Sequence, residues 1–364
     1  MGAPIISADS HVEFPTDLYT DRIPERFRPR APRVETRGTE KWLLVDGRKP
    51  KRLDVAASRV TEEDRDREFR DSSDGGRNIE LRIAAQDRDG VGAEVLYPNA
   101  LNLFSSPDYG YQMAVAQAYN DWAIRHFGER SDRFVPVAIV PVGDIAAAVR
   151  ETERVARLGY RTLMIPISMK ARPYNHPDYE PLWSVIEETG LILAFHAFSN
   201  DEDSYPIDWG TEEGTGGALA FMAFCMAEGM HPLTLLISSG MLERHPRLKF
   251  VIVECDGGWL AWLLSVLDQQ VAKKHMWIRP QLELLPSEYF KRQGHVTFSD
   301  DPVALNNLRF TGADYLMWGN DYPHDEGSYP HSRQVIERIF RGIPEAEKRK
   351  IISGNAAKLY GFGW

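Results

Sequence analysis

The chain has 364 residues, of which 43% are hydrophobic and 26% are charged, and its formal net charge at pH 7 is −10. An acidic chain of this composition lacks the basic surface that a nucleic-acid partner needs, and no apolar stretch approaches the length predicted for a membrane span. The two cysteines, Cys225 and Cys255, exclude a disulfide framework and a cysteine-rich zinc site. With an N-terminus unlike a signal peptide, these features predict a cytoplasmic enzyme that acts on a small molecule.

The first predicted strand, residues 4–8 with the sequence PIISA, runs directly into Asp9-Ser10-His11. Residues two apart in an extended segment point to the same face. Asp9 and His11 are therefore expected to point towards one place while Ser10 points away.

Residues 12–89 are predicted to form a long excursion from the fold rather than one regular helix. Asp46-Gly47 lies between apolar residues and predicts a two-residue β-hairpin turn. Residues 58–78 are mostly charged, and loops of this length in a compact domain are usually lids or interfaces. We expect the excursion to cover the mouth of the fold and to contribute to a homodimer contact. Near its end, Arg77 and Arg82 are candidates to bind a substrate carboxylate, although a surface position is favoured for both.

From about residue 79 onwards, predicted helices alternate with short apolar strands, which indicates parallel strands joined by right-handed crossovers. Asp144 is the predicted N-cap of one of these helices, and Gly190 is predicted to end the next. Counting the first strand, the sequence contains eight such strands, at residues 4–8, 93–98, 134–141, 161–167, 191–197, 249–254, 295–299 and 315–321. Eight units predict a single α/β domain over residues 1–364, a (β/α)8 TIM barrel distorted by the excursion. A doubly wound open sheet is the alternative, but no glycine-rich phosphate turn follows the first strand.

Several of these strands end in side chains that can bind metal ions. The first strand ends in Asp9 and His11, the fifth in His196, the sixth in Glu254, and the eighth in Asp321 followed by His324. The carboxyl ends of parallel barrel strands share one rim, so the six side chains should meet there. Imidazoles and carboxylates together suit Zn²⁺, Mn²⁺ or Fe²⁺, and the set is large enough for one ion or two.

The loop at 198–216 is a second predicted lid, with six acidic residues. Its aromatic side chains, Phe198, Tyr205 and Trp209, are the residues we expect to line a substrate pocket.

The motifs at the strand ends resemble those of a known family. DSH at the first strand, FHA at the fifth, VECDGGW at the sixth and WGNDYPH at the eighth resemble the amidohydrolase superfamily. The closest resemblance is to its amidohydrolase-related branch, which includes aminocarboxymuconate-semialdehyde decarboxylase and hydroxybenzoate decarboxylases. The closing segment ISGNAAKLYGF resembles the C-terminal signature of the same branch, so the resemblance spans essentially the whole chain.

The resemblance implies a (β/α)8 barrel with a divalent metal ion on its rim. By position, His11, His196 and Asp321 would be metal ligands, and Asp9 stands where the family has the first residue of H-x-H or E-x-H. Glu254 stands where the decarboxylases have a histidine that helps to activate water or to protonate the substrate. That difference weakens a transfer of decarboxylase activity and adds a carboxylate that could bridge two ions.

The sequence therefore predicts a hydrolase that attacks an amide, ester or thioester with metal-activated water. Asp321 would be a ligand and general base, His196 or His324 would orient the substrate oxygen, and Glu254 would take part in catalysis. Three alternatives stay open: a non-oxidative decarboxylase of an aromatic or unsaturated acid, a dinuclear Mn/Fe enzyme that uses oxygen, and a subunit that has lost catalysis.

Overall fold

The computed structural model describes residues 4–363 apart from 14, 16, 17, 39, 53–74, 100, 201–215, 275 and 325. Twelve strands lie in the described residues: β1 Ile5–Val12, β2 Arg33–Arg37, β3 Glu40–Leu44, β4 Lys51–Arg52, β5 Val91–Pro98, β6 Phe134–Pro136, β7 Ala138–Ile139, β8 Thr162–Ile165, β9 Ile192–His196, β10 Phe250–Val253, β11 Gly294–Phe298 and β12 Leu316–Trp318. Nine of them are parallel barrel strands, and β2–β4 form a separate antiparallel sheet.

The nine barrel strands occupy eight positions, because β6 and β7 are the two halves of the predicted third strand. One run of strands is β1-β5-β6 and the other is β12-β11-β10-β9-β8-β7, with Val137 joining them. The circle closes where the Asp321 amide donates to the Asp9 carbonyl at 3.0 Å. Gly319 permits this closure, since a Cβ there would lie 2.6 Å from the Asp9 Cβ. The predicted (β/α)8 barrel is therefore confirmed.

Alternating strand residues divide the apolar core into two layers. Leu193 and Phe195 of β9 pack in the cluster shared with the surrounding helices, whereas Ile192 and Ala194 belong to the barrel-interior cluster. Because side chains in a strand alternate between faces, His196 continues the inward series. This alternation aims His196 at the barrel mouth.

The helices flank the strands on the outside: α1 Leu18–Arg22, α2 Ile79–Asp89, α3 Tyr109–Ala123, α4 Ile145–Arg157, α5 Glu180–Thr189, α6 Gly217–Ala227, α7 Met230–Ser238, α8 Met241–Arg244, α9 Leu260–Lys274, α10 Pro286–Gln293, α11 Pro302–Asn306, α12 Leu308–Thr311, α13 Ser332–Ile339, α14 Glu345–Arg349 and α15 Asn355–Tyr360. The predicted cap of α4 is confirmed, because the Asp144 side chain accepts from the Ala147 amide. Gly190, at φ +71°, ends α5 as predicted.

A hairpin is present around Asp46-Gly47, but its turn is longer than the predicted two residues, because β3 ends at Leu44 and Leu43 pairs with Lys51 of β4. Its tip is fixed on one side by Arg30, whose Nη2 donates to Asp46 Oδ2 at 2.6 Å. Arg48 Nη2 donates to the Asn200 carbonyl at 3.2 Å, four residues beyond His196. The tip therefore touches a loop at the carboxyl end of β9. Most of the charged stretch at 58–78 lies outside the described residues.

The sequence predicts no apolar stretch as long as a membrane span, but one helical stretch has that length. Leu219–Ser238 is long and apolar enough to cross a bilayer by length and composition, and 39% of an 18-residue apolar window within it is buried. Its second half packs into the core through Leu233, Leu236 and Ile237. A core helix passes the same test, so the stretch is weak evidence for a membrane span.

Candidate metal centre

Six side chains at the carboxyl ends of four barrel strands converge on one buried place. Asp9, His11, His196 and Glu254 each offer a ligand atom, and these four atoms lie within 4.8 Å of one another. A second group of four, which meets the same limit, combines His11 and Glu254 with Asp321 and His324. The structure thus brings together all six residues that the sequence suggested as ligands.

Glu254 lies at the centre of this arrangement. Its Oε2 is 3.1 Å from His11 Nε2 and 3.1 Å from His196 Nε2. Asp9 Oδ1 lies 3.4 Å from His196 Nε2, so the shorter aspartate reaches the same space. On the other side, Asp321 Oδ1 is 3.0 Å from His11 Nε2 and 2.9 Å from His324 Nδ1.

Several of these atoms are buried without a hydrogen-bond partner among the described residues: Asp9 Oδ1, His196 Nε2, Asp321 Oδ1 and His324 Nδ1. Polar atoms that converge at short distance without hydrogen-bond geometry are costly unless a cation satisfies them. His196 Nδ1 lies 2.9 Å from the Ala197 carbonyl, an arrangement that leaves Nε2 free to bind a metal ion. The residues therefore fit a divalent cation with mixed nitrogen and oxygen ligation.

Backbone strain is concentrated around this site. The four described non-glycine residues with positive φ are Phe198 (+62°), Glu254 (+56°), Asp256 (+51°) and Asp321 (+57°), and all follow strands β9, β10 or β12. Val253 faces the barrel interior, so regular alternation would turn Glu254 towards the helices. The left-handed conformation instead aims Glu254 at the histidines, a strain of the kind that clusters at functional sites.

Without a bound cation, the pKa values of the ionisable side chains at this site are shifted in different directions. Burial raises the pKa of Glu254 well above its usual value, and the nearby Asp321 and Asp9 raise it further against the opposing effect of His196. Burial alone would lower the pKa of His324, but its close contact with the negative charge of Asp321 raises it to about 10. Burial also opposes ionisation of Asp321, yet His324 and His11 lower its pKa below the usual range. The Asp321–His324 pair consequently holds a proton at neutral pH.

Three further predicted residues were expected to line the substrate pocket. Phe198 is half-buried beside His196, and its ring lies 5.6 Å from that of Phe221. Tyr205 and Trp209 lie outside the described residues. Their roles, like those of the six ligands, stay predictions.

Two residues at the end of β5 were missed by the sequence reasoning. The Tyr97 ring is fully buried, with its centroid 4.8 Å from that of His196 and 6.4 Å from that of His11. Asn99 Oδ1 lies 2.9 Å from His324 Nε2 and fixes that ring from the side opposite Asp321. Both residues lie at the carboxyl end of the second predicted strand, so the placement that identified the six candidate ligands could have identified them too.

Comparisons with known proteins identify the family of this chain. The family model described as amidohydrolase matches residues 79–362. Gamma-resorcylate decarboxylase of Rhizobium sp. (strain MTP-10005) is 25% identical over 291 residues, covering 77% of this chain and 86% of that protein. Among solved structures, an amidohydrolase of Mycobacterium avium subsp. paratuberculosis K-10 is similar with a TM-score of 0.78, at 19% identity and over 99% of this chain and 100% of that one.

A dihydroxybenzoic acid decarboxylase of Polaromonas sp. JS666, solved with bound manganese and an inhibitor, has a TM-score of 0.66 at 18% identity. It covers 100% of this chain and 98% of its own. These names overturn the predicted acyl hydrolase, and that prediction was wrong. A divalent ion on a barrel rim can serve either reaction, so the ligands alone did not distinguish them.

Proposed function

Because the chain belongs to the amidohydrolase family, we propose that it is a metal-dependent decarboxylase that removes CO2 from an aromatic carboxylic acid without oxidation. The observation that carries this proposal is the convergence, on one rim of the barrel, of buried ligand atoms that have no hydrogen-bond partner among the described residues. The decarboxylase named among its relatives, which spans most of both chains, supports the choice of reaction.

In the proposed reaction, a C–H bond at the ring carbon replaces the C–C bond that joins this carbon to the carboxyl group. That carbon takes a proton, CO2 leaves, and the electron pair of the broken C–C bond restores the aromatic ring. Asp9, His11, His196 and Glu254 would hold the cation, since they form one of the two convergent groups. When bound, the cation supplies positive charge that binds the oxygen atoms of the substrate.

We assign the proton to the Asp321–His324 pair. Asp321 Oδ1 and His324 Nδ1 lie 2.9 Å apart, and Asn99 fixes the far side of the imidazole. In the metal-free protein the pKa of His324 is raised to about 10 by Asp321, which favours a proton on this pair at neutral pH. Asp321 can relay this proton from His324 to the ring carbon as a general acid, and the pair then takes a replacement proton from solvent through the partly exposed His324.

We propose manganese as the ion, with one ion per chain. Manganese accepts carboxylate and imidazole ligands together, and a solved decarboxylase of the same fold contains it. The two convergent groups share His11 and Glu254, which favours one ion over two. Metal analysis of protein purified without chelator tests this, with about one equivalent expected.

The direct test measures CO2 release from a panel of hydroxybenzoic acids, with aryl esters, thioesters and amides assayed beside them for acid release. Protein stripped with a chelator is compared with the same protein reconstituted with Mn²⁺. We expect CO2 release that requires Mn²⁺ and no acid release. Metal-dependent acid release without CO2 across the panel would overturn the proposal, as would inactivity of metal-loaded protein on every acid.

The other predictions about this chain stay predictions. The excursion at 12–89 is proposed as a lid, supported by the contact of Arg48 with Asn200. A homodimer is tested by light scattering. Oxygen uptake by the metal-loaded protein would favour the dinuclear alternative, and inactivity on all substrate classes would favour a non-catalytic subunit.

A further inference from the structure

A second set of charges, outside the metal-binding cluster, is completely buried beneath it. Arg82 of α2 and Glu94 of β5 both have side chains that are 0% exposed. Arg82 Nε donates to Glu94 Oε2 at 2.6 Å. The sequence alone suggested that Arg82 lies on the surface or binds a substrate carboxylate, and its complete burial excludes a surface position.

The same guanidinium contacts the backbone of His11 and the side chain of Tyr322, which follows Asp321 in the chain. Arg82 Nη1 donates to the His11 carbonyl at 2.7 Å. Its central carbon lies 4.9 Å from the centre of the Tyr322 ring, next in the chain to Asp321. The His11 amide donates to the Tyr322 carbonyl at 2.6 Å. Arg82 thus joins the ends of β1 and β12 at the point where the barrel closes.

Fold stability alone does not account for such a pair. Burying two charges costs much of what their attraction gains, and well-packed apolar residues often serve stability equally well. Arg82 Nη2 and Glu94 Oε1 have no hydrogen-bond partner in the described part of the chain. An ion pair that leaves buried polar atoms without hydrogen bonds contributes little to the stability of the fold. The hydrogen bond from Arg82 to the His11 carbonyl, by contrast, fixes a predicted metal ligand.

We propose that Arg82, oriented by Glu94, is a positioning residue for the metal centre. By holding the His11 carbonyl and the Tyr322 ring, it keeps His11 Nε2 within 3.1 Å of Glu254 and 3.0 Å of Asp321. Residues that orient metal ligands from behind commonly change metal affinity by about 10- to 100-fold when they are replaced. This inference rests on the metal centre of the proposed function but not on the reaction.

The test replaces both charges at once, in R82Q/E94Q, because removing one partner would leave an isolated buried charge. Glutamines keep similar length and can bond each other, so the variant should fold. We expect Mn²⁺ affinity, measured by calorimetry on metal-stripped protein, to fall by about 10-fold or more. The electron paramagnetic resonance spectrum of bound Mn²⁺ should also change, because the ligand geometry relaxes.

Glu151 and Arg154 on α4 provide a matched control. Arg154 Nη2 lies 2.8 Å from Glu151 Oε1, Glu151 is buried, and the pair contacts α3 rather than the metal centre. We expect R154Q/E151Q to lower the melting temperature without changing Mn²⁺ affinity. Loss of affinity in both double variants would show a general effect of unfolding and would overturn the proposal.

R82K is the second variant, in case the double variant does not fold. Lysine keeps the charge beside Glu94, but one ammonium cannot copy the geometry of two separate guanidinium nitrogens. We expect R82K to fold and to bind Mn²⁺ about 10-fold more weakly. Wild-type affinity in R82K or in folded R82Q/E94Q would overturn the proposal. If the metal-loaded wild type does not decarboxylate any acid but the Arg82 variants bind Mn²⁺ more weakly, the proposed function is wrong and this inference still holds.

Discussion

Replacing Asp321 with asparagine tests the proposed source of the proton. Asparagine keeps the shape of the side chain and tolerates the left-handed backbone observed at this position, φ +57°. It cannot donate or accept the proton, and it removes the negative charge 2.9 Å from His324 Nδ1. We expect metal binding by Asp9, His11 and His196 to persist while catalysis is lost.

The expected loss follows from the role assigned to the pair. General acid catalysis contributes about 10²- to 10⁴-fold, which corresponds to about 3–5 kcal/mol in the activation barrier. The assay is CO2 release by Mn²⁺-loaded protein, normalised to measured metal content. Asp256→Asn is a matched control, because Asp256 also has positive φ beside β10 but lies outside both convergent groups. It should keep activity within about threefold, far from the loss expected for a general acid.

The variant should also change the pH dependence of any residual activity. In the metal-free wild type the negative charge of Asp321 raises the pKa of His324 to about 10, well above that of an unpaired histidine. Without Asp321, the effect of burial dominates and the pKa of His324 should fall to its usual value of about 6.5 or below. Residual activity should therefore decline as pH rises through that range.

The same pair predicts a stability change with a definite sign. Because the pKa of His324 is raised in the folded state, its stabilising effect is complete below its unfolded value and is lost as pH rises towards about 10. Metal-free wild type should therefore melt above Asp321→Asn at neutral pH, and the difference should shrink by pH 10. An Asp321→Asn protein with full metal and more than a tenth of wild-type activity would refute the assignment.

Three further predictions concern other parts of the site. His196→Ala should lower Mn²⁺ affinity by at least about 100-fold in calorimetry, because Nε2 is a central ligand atom, and unchanged affinity would remove it from the site. Glu254→Gln should raise the melting temperature of metal-free protein at neutral pH, where burial opposes ionisation of the carboxyl, yet weaken Mn²⁺ binding in the same preparation. Gly319→Ala should cost about 1–3 kcal/mol in chemical denaturation, because its Cβ would meet Asp9, and a neutral result would contradict the tight closure.

The sequence predicted the barrel and the meeting of six side chains because both depend on strand order alone. Once eight parallel strands are assigned, their carboxyl ends must share a rim, whatever the detailed packing. His196 illustrates this, since the alternation of β9 aims it at the mouth without any help from neighbouring strands. Local capping was equally readable, as Asp144 and Gly190 show.

Features that depend on contacts distant in sequence or on unusual backbone angles were not predictable. Arg82 follows a highly charged stretch, and composition alone suggested a surface position. Its actual face of α2 is shared with Ile79 and Ala85, both buried, and that spacing was the available signal. The helix Pro286–Gln293 was also missed, because only Tyr289 and Phe290 supply large buried side chains in an otherwise polar segment.

The predicted hydrolase activity was wrong because the role of Glu254 depends on where its side chain lies. Glu254 stands where the decarboxylases that the sequence resembles have a histidine. In the sequence, that difference is an argument against decarboxylation by this chain. In the structure its Oε2 lies 3.1 Å from both His11 and His196, a position in which a carboxylate can bind the same ion. The proton can then come from Asp321 and His324, which lie on the other side of His11. In the proposed function, a carboxylate at this position therefore changes the ligand set, while Asp321 and His324 supply the proton.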